Sequence, residues 1–560
     1  MLRTYLTGLL VWGLSSTGLA QAPQTTEAVD NDPAVEFSLG GYYQTRYKSF
    51  TNFFEPVGGG EAVANPSIMT HRLKLEPTFA FGDLAKLSLD IDAMNGVLWG
   101  DNAGLASTAL FAGNPSDTTA SGLETDSIAL RRAWVEFKVP VGVMRVGRMP
   151  SNWGMGLLAN DGNGHDDLFG DNQNYTTYDR VLFATRPIAI AQKIMGQEDS
   201  EIPLFIAVAY DRLVDDPLAT YRGDCRGGIA QGEAGFSARC DEDGDGVTED
   251  LEVTDESRQA SDRDDLWWAD SKDDVSEMVY VIVYRGEDIE LFGEKGDLTA
   301  GSYIVVRSQN ETDSNILITD AYIKAHFWNT HLEFEYVNIS GDTRALPIPN
   351  ADKATDQYAR TAAIQGYVGR LGYELGDLQL WMEHGYASGD GNVFDESFSG
   401  RALSPDHNVG LILYDEVLSR VSRYNSLSTT LGSNGGVYNS SYIFPNVRYA
   451  LNQDWQVIGA FLMAWPDQPD GDTIRCSRDD ASARCQENVE RASEDDIATA
   501  SHLGWEVDMA LKGKFAGKMG LSLEAGIANI TDRIPVAKAG LQADDLMYTV
   551  QLRLSYDLSL

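Results

Sequence analysis

"VEFSLGGYYQTRYK", from Val35 to Lys48, changes character at every residue. The odd positions are Val35, Phe37, Leu39, Gly41, Tyr43, Thr45 and Tyr47; the even ones are Glu36, Ser38, Gly40, Tyr42, Gln44, Arg46 and Lys48. In an extended chain, residues i and i+2 share a face, so the stretch is two-sided only as a strand, oily on one face and wet on the other. The rhythm returns after a short gap. Leu73, Leu75 and Phe79 stand against Arg72, Lys74 and Glu76, and beyond "GDLA" Leu87, Leu89 and Ile91 stand against Lys86, Ser88, Asp90 and Asp92. "LITDAYIKAHFW" and "THLEFEYVN" repeat it with Asp320, Lys324 and His326, then His331, Glu333 and Glu335, on the wet side. "SHLGWEVDMALKGKF" does so with Glu506, Asp508 and Lys512, and the last strand carries Gln551, Arg553 and Asp557. The fold class is all-β.

The connections say which kind. Tight ones fall near Gly82–Asp83, Pro140–Gly142, Asn329–Thr330, Gly376–Asp377, Asn452–Asp454 and Ala516–Gly517. Between them lie long polar stretches at about 51–67, 97–126, 150–175, 213–276, 341–357, 385–440 and 466–500. Short turns on one rim and long loops on the other mark a transmembrane antiparallel up-and-down β-barrel. A soluble sandwich would bury its oily faces but gives no reason for the alternation of lengths. Two links fit less well, a long inner one at 187–203 and a short outer one at Glu311–Asn315. The count is about 18 strands, with 16 the alternative. Tyr43, Tyr47, Trp328, Trp381, Trp455, Trp465 and Tyr556 are candidates for the interfacial aromatic girdles.

This organisation, with "MYTVQLRLSYDLSL" as a closing strand, resembles the bacterial outer-membrane porins of Gram-negative cells. The family usually ends in Phe, where this chain has Leu560. The resemblance is one of architecture and names no specific member. It implies a channel for passive diffusion of small polar solutes, set among outer-membrane lipid and lipopolysaccharide. It also implies a possible homotrimer, although no outward packing patch marks one.

The rest of the chain agrees with export. Of 560 residues, positions 1–20 read as a signal peptide with Arg3 and an apolar run from Tyr5 to Leu14. A short flexible segment follows at 21–33, and the single barrel takes 34–560. Net charge is −41, which excludes nucleic acid as a partner. Cys225 and Cys240, and Cys476 and Cys485, lie as neighbours in two long loops and read as two disulfide staples.

A barrel of this width encloses a lumen rather than a packed core. Its candidate pore-lining residues are Arg46, Arg72, Lys74, Asp90, Asp92, Arg132, Glu136, Asp320, Lys324, Glu333, Glu506, Asp508 and Arg553. Opposed across a channel they orient polar solutes; paired along the wall they merely solvate it. The third long loop, rich in Gly and Asn, carries His165, Asp166, Asp167 and Asp171. In porins that loop commonly folds inward, so the resemblance implies a constriction here, with an ordinary surface loop as the alternative. His165 beside Asp166 comes without a G-x-S-x-G or H-E-x-x-H pattern, so no enzyme is expected.

The acidic loop at 213–276 holds "DEDGDGVTEDLE", which fits D-x-[DN]-x-[DN]-G-x5-E without a gap. Asp241, Asp243, Asp245, the Val247 carbonyl, Glu249 or a water in its place, and Glu252 would surround a structural Ca2+. Flanking helices are not evident, and a solvated acidic coil is the other reading. A plugged barrel acting in surface adhesion or binding is the alternative to a channel.

Overall fold

The computed structural model describes residues 35–54, 63–65, 67–99, 128–162, 168–170, 175–196, 202–213, 275–310, 313–344, 360–391, 396–419, 422, 433–469, 500–531, 534 and 546–559. Its wall strands are β1 (Val35–Thr51), β2 (Ser67–Phe81), β3 (Ala85–Trp99), β4 (Ala129–Val139), β5 (Gly142–Pro150), β6 (Thr177–Thr185), β7 (Leu204–Leu213), β8 (Ser276–Leu291) and β9 (Glu294–Gln309). They continue as β10 (Ser314–Phe327), β11 (Thr330–Thr343), β12 (Arg360–Leu375), β13 (Leu378–Ala387), β14 in two pieces (Ser440–Ile443 and Asn446–Ala450), β15 (Trp455–Pro466), β16 (Gly504–Phe515), β17 (Met519–Ile530) and β18 (Leu546–Asp557). Each is antiparallel to its neighbours in sequence. β1 also pairs with β18, from Tyr42↔Asp557 to Thr51↔Tyr548, which closes an 18-stranded ring.

Closure leaves no sheet edge, so the wall amides are bonded within the protein, as a hydrocarbon surrounding demands. The two faces separate as the alternation requires. Ile282, Val306, Leu317, Leu332, Phe334, Leu371, Met509, Leu523 and Val550 are exposed outside, while Arg46, Arg72, Lys74, Asp320, Glu335 and Asp508 are buried on the opposite face. A closed antiparallel ring with an apolar exterior is an outer-membrane β-barrel. Among the described residues no helix is long and apolar enough to cross a membrane.

The tight turns gather on one rim, and the structure adds Phe292–Gly293 to those read from sequence. The long inner link contains a helix, α1 (Pro187–Ile194), whose first-turn proline has no amide to leave unbonded. The short outer link, 310–313, is also present between β9 and β10. A further long outer link at 531–545, between β17 and β18, was not among the expected loops. Trp381 departs from the girdle reading: it stacks on the inward-facing His331 with ring centroids 5.3 Å apart. β14 breaks at Pro445, which has no N–H to donate, yet Phe444 N–H donates to the Glu383 carbonyl across the gap at 2.8 Å.

Candidate functional site

Inside the ring the charges form a belt of cross-strand pairs. Arg72 meets Asp92 at 3.0 Å, and Lys74 shares Asp90 with Arg132, at 3.5 and 3.0 Å. Arg46 reaches Glu524 at 3.2 Å and also donates to Gln551. Arg180 grips Asp211 with two hydrogen bonds of 2.7 and 2.6 Å, and Arg307 pairs with Glu277 on the adjoining strands. All but one of these pairs put opposite charges on neighbouring strands of one face, where their side chains meet; Arg46 on β1 reaches past β18 to Glu524 on β17. Most are buried, so at this level the lumen does not hold open water against its wall.

Two segments of the outer rim do the burying. The first, described at residues 151–162, 168–170 and 175–176, leaves β5 and runs inward. Trp153 donates its indole N–H to Asp320 at 2.9 Å, and Leu157 N–H reaches Glu335 at 3.2 Å. Met155 N–H donates to the other oxygen of Glu335. Gly154 stands directly over that carboxylate at φ +59°, a conformation that favours glycine, and a Cβ there would have to push the carboxylate aside. Farther along, Gly170 N–H donates to Glu524 at 3.0 Å and its carbonyl accepts from Arg553. Between β10–β11 and β17–β18 the segment has crossed the barrel.

The second segment, described at residues 388–391, 396–419, 422 and 433–439, comes from the opposite part of the wall and meets the first: Ser404 N–H donates to the Leu157 carbonyl at 2.8 Å. Its centre is "VGLILYDEVL", Val409 to Leu418, with a single wide helical turn at Leu413–Leu418. Three consecutive amides, of Leu411, Ile412 and Leu413, converge on the Glu506 carboxylate at 2.6, 2.8 and 2.8 Å. Lys48 holds Asp415 and Glu416 at 3.2 and 3.1 Å. Val409, Leu411, Ile412, Leu413, Tyr414 and Val417 are all 0% exposed, packed with Phe169, Phe444 and Leu462 in a dry core within the lumen. The Tyr414 hydroxyl keeps a partner there, Ser440 at 2.8 Å, and burial pushes its phenol up.

The inner half of the lumen is different. Arg145 and Glu136 pair there while about a quarter exposed, at 26% and 27%. Lys324, Glu333 and Arg370 form a second part-exposed cluster on β10, β11 and β12. These side chains lie toward the short-turn rim, below both inward segments, and water reaches them. The outer half is thus filled and the inner half is a charged vestibule.

All thirteen residues read from sequence as pore-lining therefore face inward, but they divide. Glu136, Lys324 and Glu333 keep contact with solvent; Arg46, Arg72, Lys74, Asp90, Asp92, Arg132, Asp320, Glu506, Asp508 and Arg553 are covered. His165, Asp166, Asp167 and Asp171, the calcium-loop residues from Asp241 to Glu252, and all four cysteines lie outside the described residues. Sequence reading missed the second inward segment. Its signal was the apolar run from Val409 to Leu418 inside a long loop, where a solvated connection has no use for one.

No family model matches the sequence, and no curated protein matches it. Among solved structures the chain is similar to OpdL of Pseudomonas aeruginosa, at 8% identity and TM-score 0.45 over 94% of this chain and 99% of that one. It is also similar to the outer membrane protein OpdK of Pseudomonas aeruginosa, at 11% identity and TM-score 0.44 over 93% and 99%. A BenF-like porin from Pseudomonas fluorescens Pf-5 gives 10% identity and TM-score 0.44 over 94% and 99%. Likeness this distant adds nothing to the barrel, which stands on its own strand pairing.

Proposed function

We propose that this protein is a porin-like channel, passing small polar solutes by diffusion along a lumen narrowed from within. The observation that carries the reading is the inner vestibule, whose charged walls at Arg145, Glu136, Lys324, Glu333 and Arg370 stay wet while the outer half is occupied. A solute entering from outside must pass the two inward segments. That favours small solutes taken singly over bulk flow. In the vestibule each acid has a base beside it, so zwitterions and neutral polar molecules suit it as well as ions.

The test is swelling of liposomes that contain the refolded barrel, in isosmotic solutions of sugars and amino acids of graded size. Swelling that is measurable for small amino acids and falls off steeply with size is expected; none for any solute would refute a channel. That second result would support the plugged barrel with a surface-binding role, which the fully buried apolar centre of the second segment favours.

The large outer loop at 213–276 belongs to the same proposal. Asp241, Asp243, Asp245, Val247, Glu249 and Glu252 would hold one Ca2+ as a brace on a strongly acidic loop that faces a calcium-bearing medium. Titration of the intact refolded protein with Ca2+ should show a weak site, near ~10⁻³–10⁻⁴ M. Glu252→Ala should abolish it, because the twelfth position supplies two of the oxygens. Unchanged binding in that variant refutes the assignment.

A further inference from the structure

The inner mouth of the lumen carries a cluster that neither the paired belt nor the inward segments use. His326, the penultimate residue of β10, lies directly opposite His331, the second residue of β11. Their rings stack at 4.0 Å, 3° from parallel. Glu374, near the end of β12, brings its Oε1 to 3.0 Å from His331 Nε2. Ligand atoms of all three lie within 4.8 Å of one another, and all three residues are half-buried. His326 Nε2 is shielded from solvent with no hydrogen-bond partner. The chain has only seven histidines, and two of them meet here.

The surroundings hold the group in place. Gln379 donates at 3.1 Å to Glu374 Oε1, the same oxygen that meets His331, and so orients the carboxylate toward that ring. Trp381 stacks on the face of His331 away from His326. Gly372 faces His331 across the strand pair and adds no side chain between that ring and Trp381. Asp297 is the register partner of His326 on its other side, so carboxylates flank both imidazoles. Of the cations nearby, Lys324 is engaged by Glu333 at 3.8 Å, and the Arg448 guanidinium lies over the Trp381 ring at 4.8 Å from its centre.

We infer that His326, His331 and Glu374 form a binding site for a divalent transition-metal ion at the inner mouth of the barrel. Two imidazoles and one carboxylate suit Zn2+, Ni2+ or Co2+, and they do not suit the hard ions Ca2+ and Mg2+. Stacked rings point their nitrogens side by side and not at a common point, so ligation turns at least one imidazole about its χ angles. The open lumen on that face gives it room. Three protein ligands leave the remaining position to water or to a passing solute.

The site stands apart from conduction, so a silent channel would leave it untouched. The test uses the full-length barrel refolded in detergent, with Zn2+ titrated calorimetrically and Co2+ as the spectroscopic probe. One Zn2+ per chain is expected, with a Co2+ visible spectrum of nitrogen and oxygen ligation and no thiolate charge-transfer band. His326→Ala/His331→Ala should abolish that site, and Gln379→Leu, which frees the carboxylate it orients, should weaken it about tenfold. His384→Ala, whose ring stacks on Tyr367 away from this cluster, should leave it unchanged. Folding is read from heat-modifiable migration on a denaturing gel. If the double variant does not fold, Glu374→Gln and Gln379→Leu carry the test. Wild-type Zn2+ affinity in the folded variants, or a Co2+ spectrum of thiolate ligation alone, overturns the assignment.

Discussion

Replacing Glu506 by alanine should open the lumen, raising single-channel conductance severalfold while the barrel itself remains folded. One carboxylate receives the amides of Leu411, Ile412 and Leu413, all in a segment with no access to water. Removing it strands three buried donors at about 1–3 kcal/mol each, a larger penalty than a short docked segment can absorb. The wall strand β16 keeps its own ladder with β15 and β17, so the loss falls on docking. Glu506→Gln retains one acceptor oxygen and should give an intermediate conductance with more frequent transitions between levels. Wild-type conductance in both variants would mean that the second segment does not limit the path.

Arg180→Ala should cost stability and not selectivity. Asp211 is 0% exposed and takes two hydrogen bonds from this guanidinium. Breaking a buried pair by deleting one partner leaves an uncompensated charge, a loss of about 3–5 kcal/mol. Arg180 also donates to Ser151 and lies near the Tyr303 hydroxyl, at the root of the first inward segment, so that root should loosen as well. The read-out is the denaturant midpoint of the barrel in lipid. Removing both charges, as Arg180→Met with Asp211→Leu, should recover much of the loss, because it removes the stranded ion as well as the bond. A double variant as unstable as the single one would count against this explanation.

The wall was legible from its sequence because a strand's period of two is local. Arg46 and Tyr47 differ in face whatever lies across the lumen, and the turns at Gly82, Gly376 and Ala516 are fixed by a few residues each. The filling of the lumen was not legible, since it rests on contacts without sequence neighbours. Trp153 and Asp320 are 167 residues apart, and Leu411 and Glu506 are 95 apart. The same distance explains why Asp320 and Glu506 read as water-lined acids. Their inward direction followed from alternation, but their burial depends on segments that arrive from elsewhere. The cluster of His326 and His331 was half visible, both residues falling on the wet face. Opposition across the tight turn and the approach of Glu374 from the next strand required the register.

Hydrogen exchange, read by mass spectrometry on the barrel reconstituted in bilayers, addresses the occupied lumen most directly. The amides of Leu411, Ile412 and Leu413 should exchange as slowly as those of β16, and should become fast in Glu506→Ala while β16 stays protected. Exchange of these three amides at the rate of a free outer loop in the unaltered protein would contradict a lumen narrowed from within.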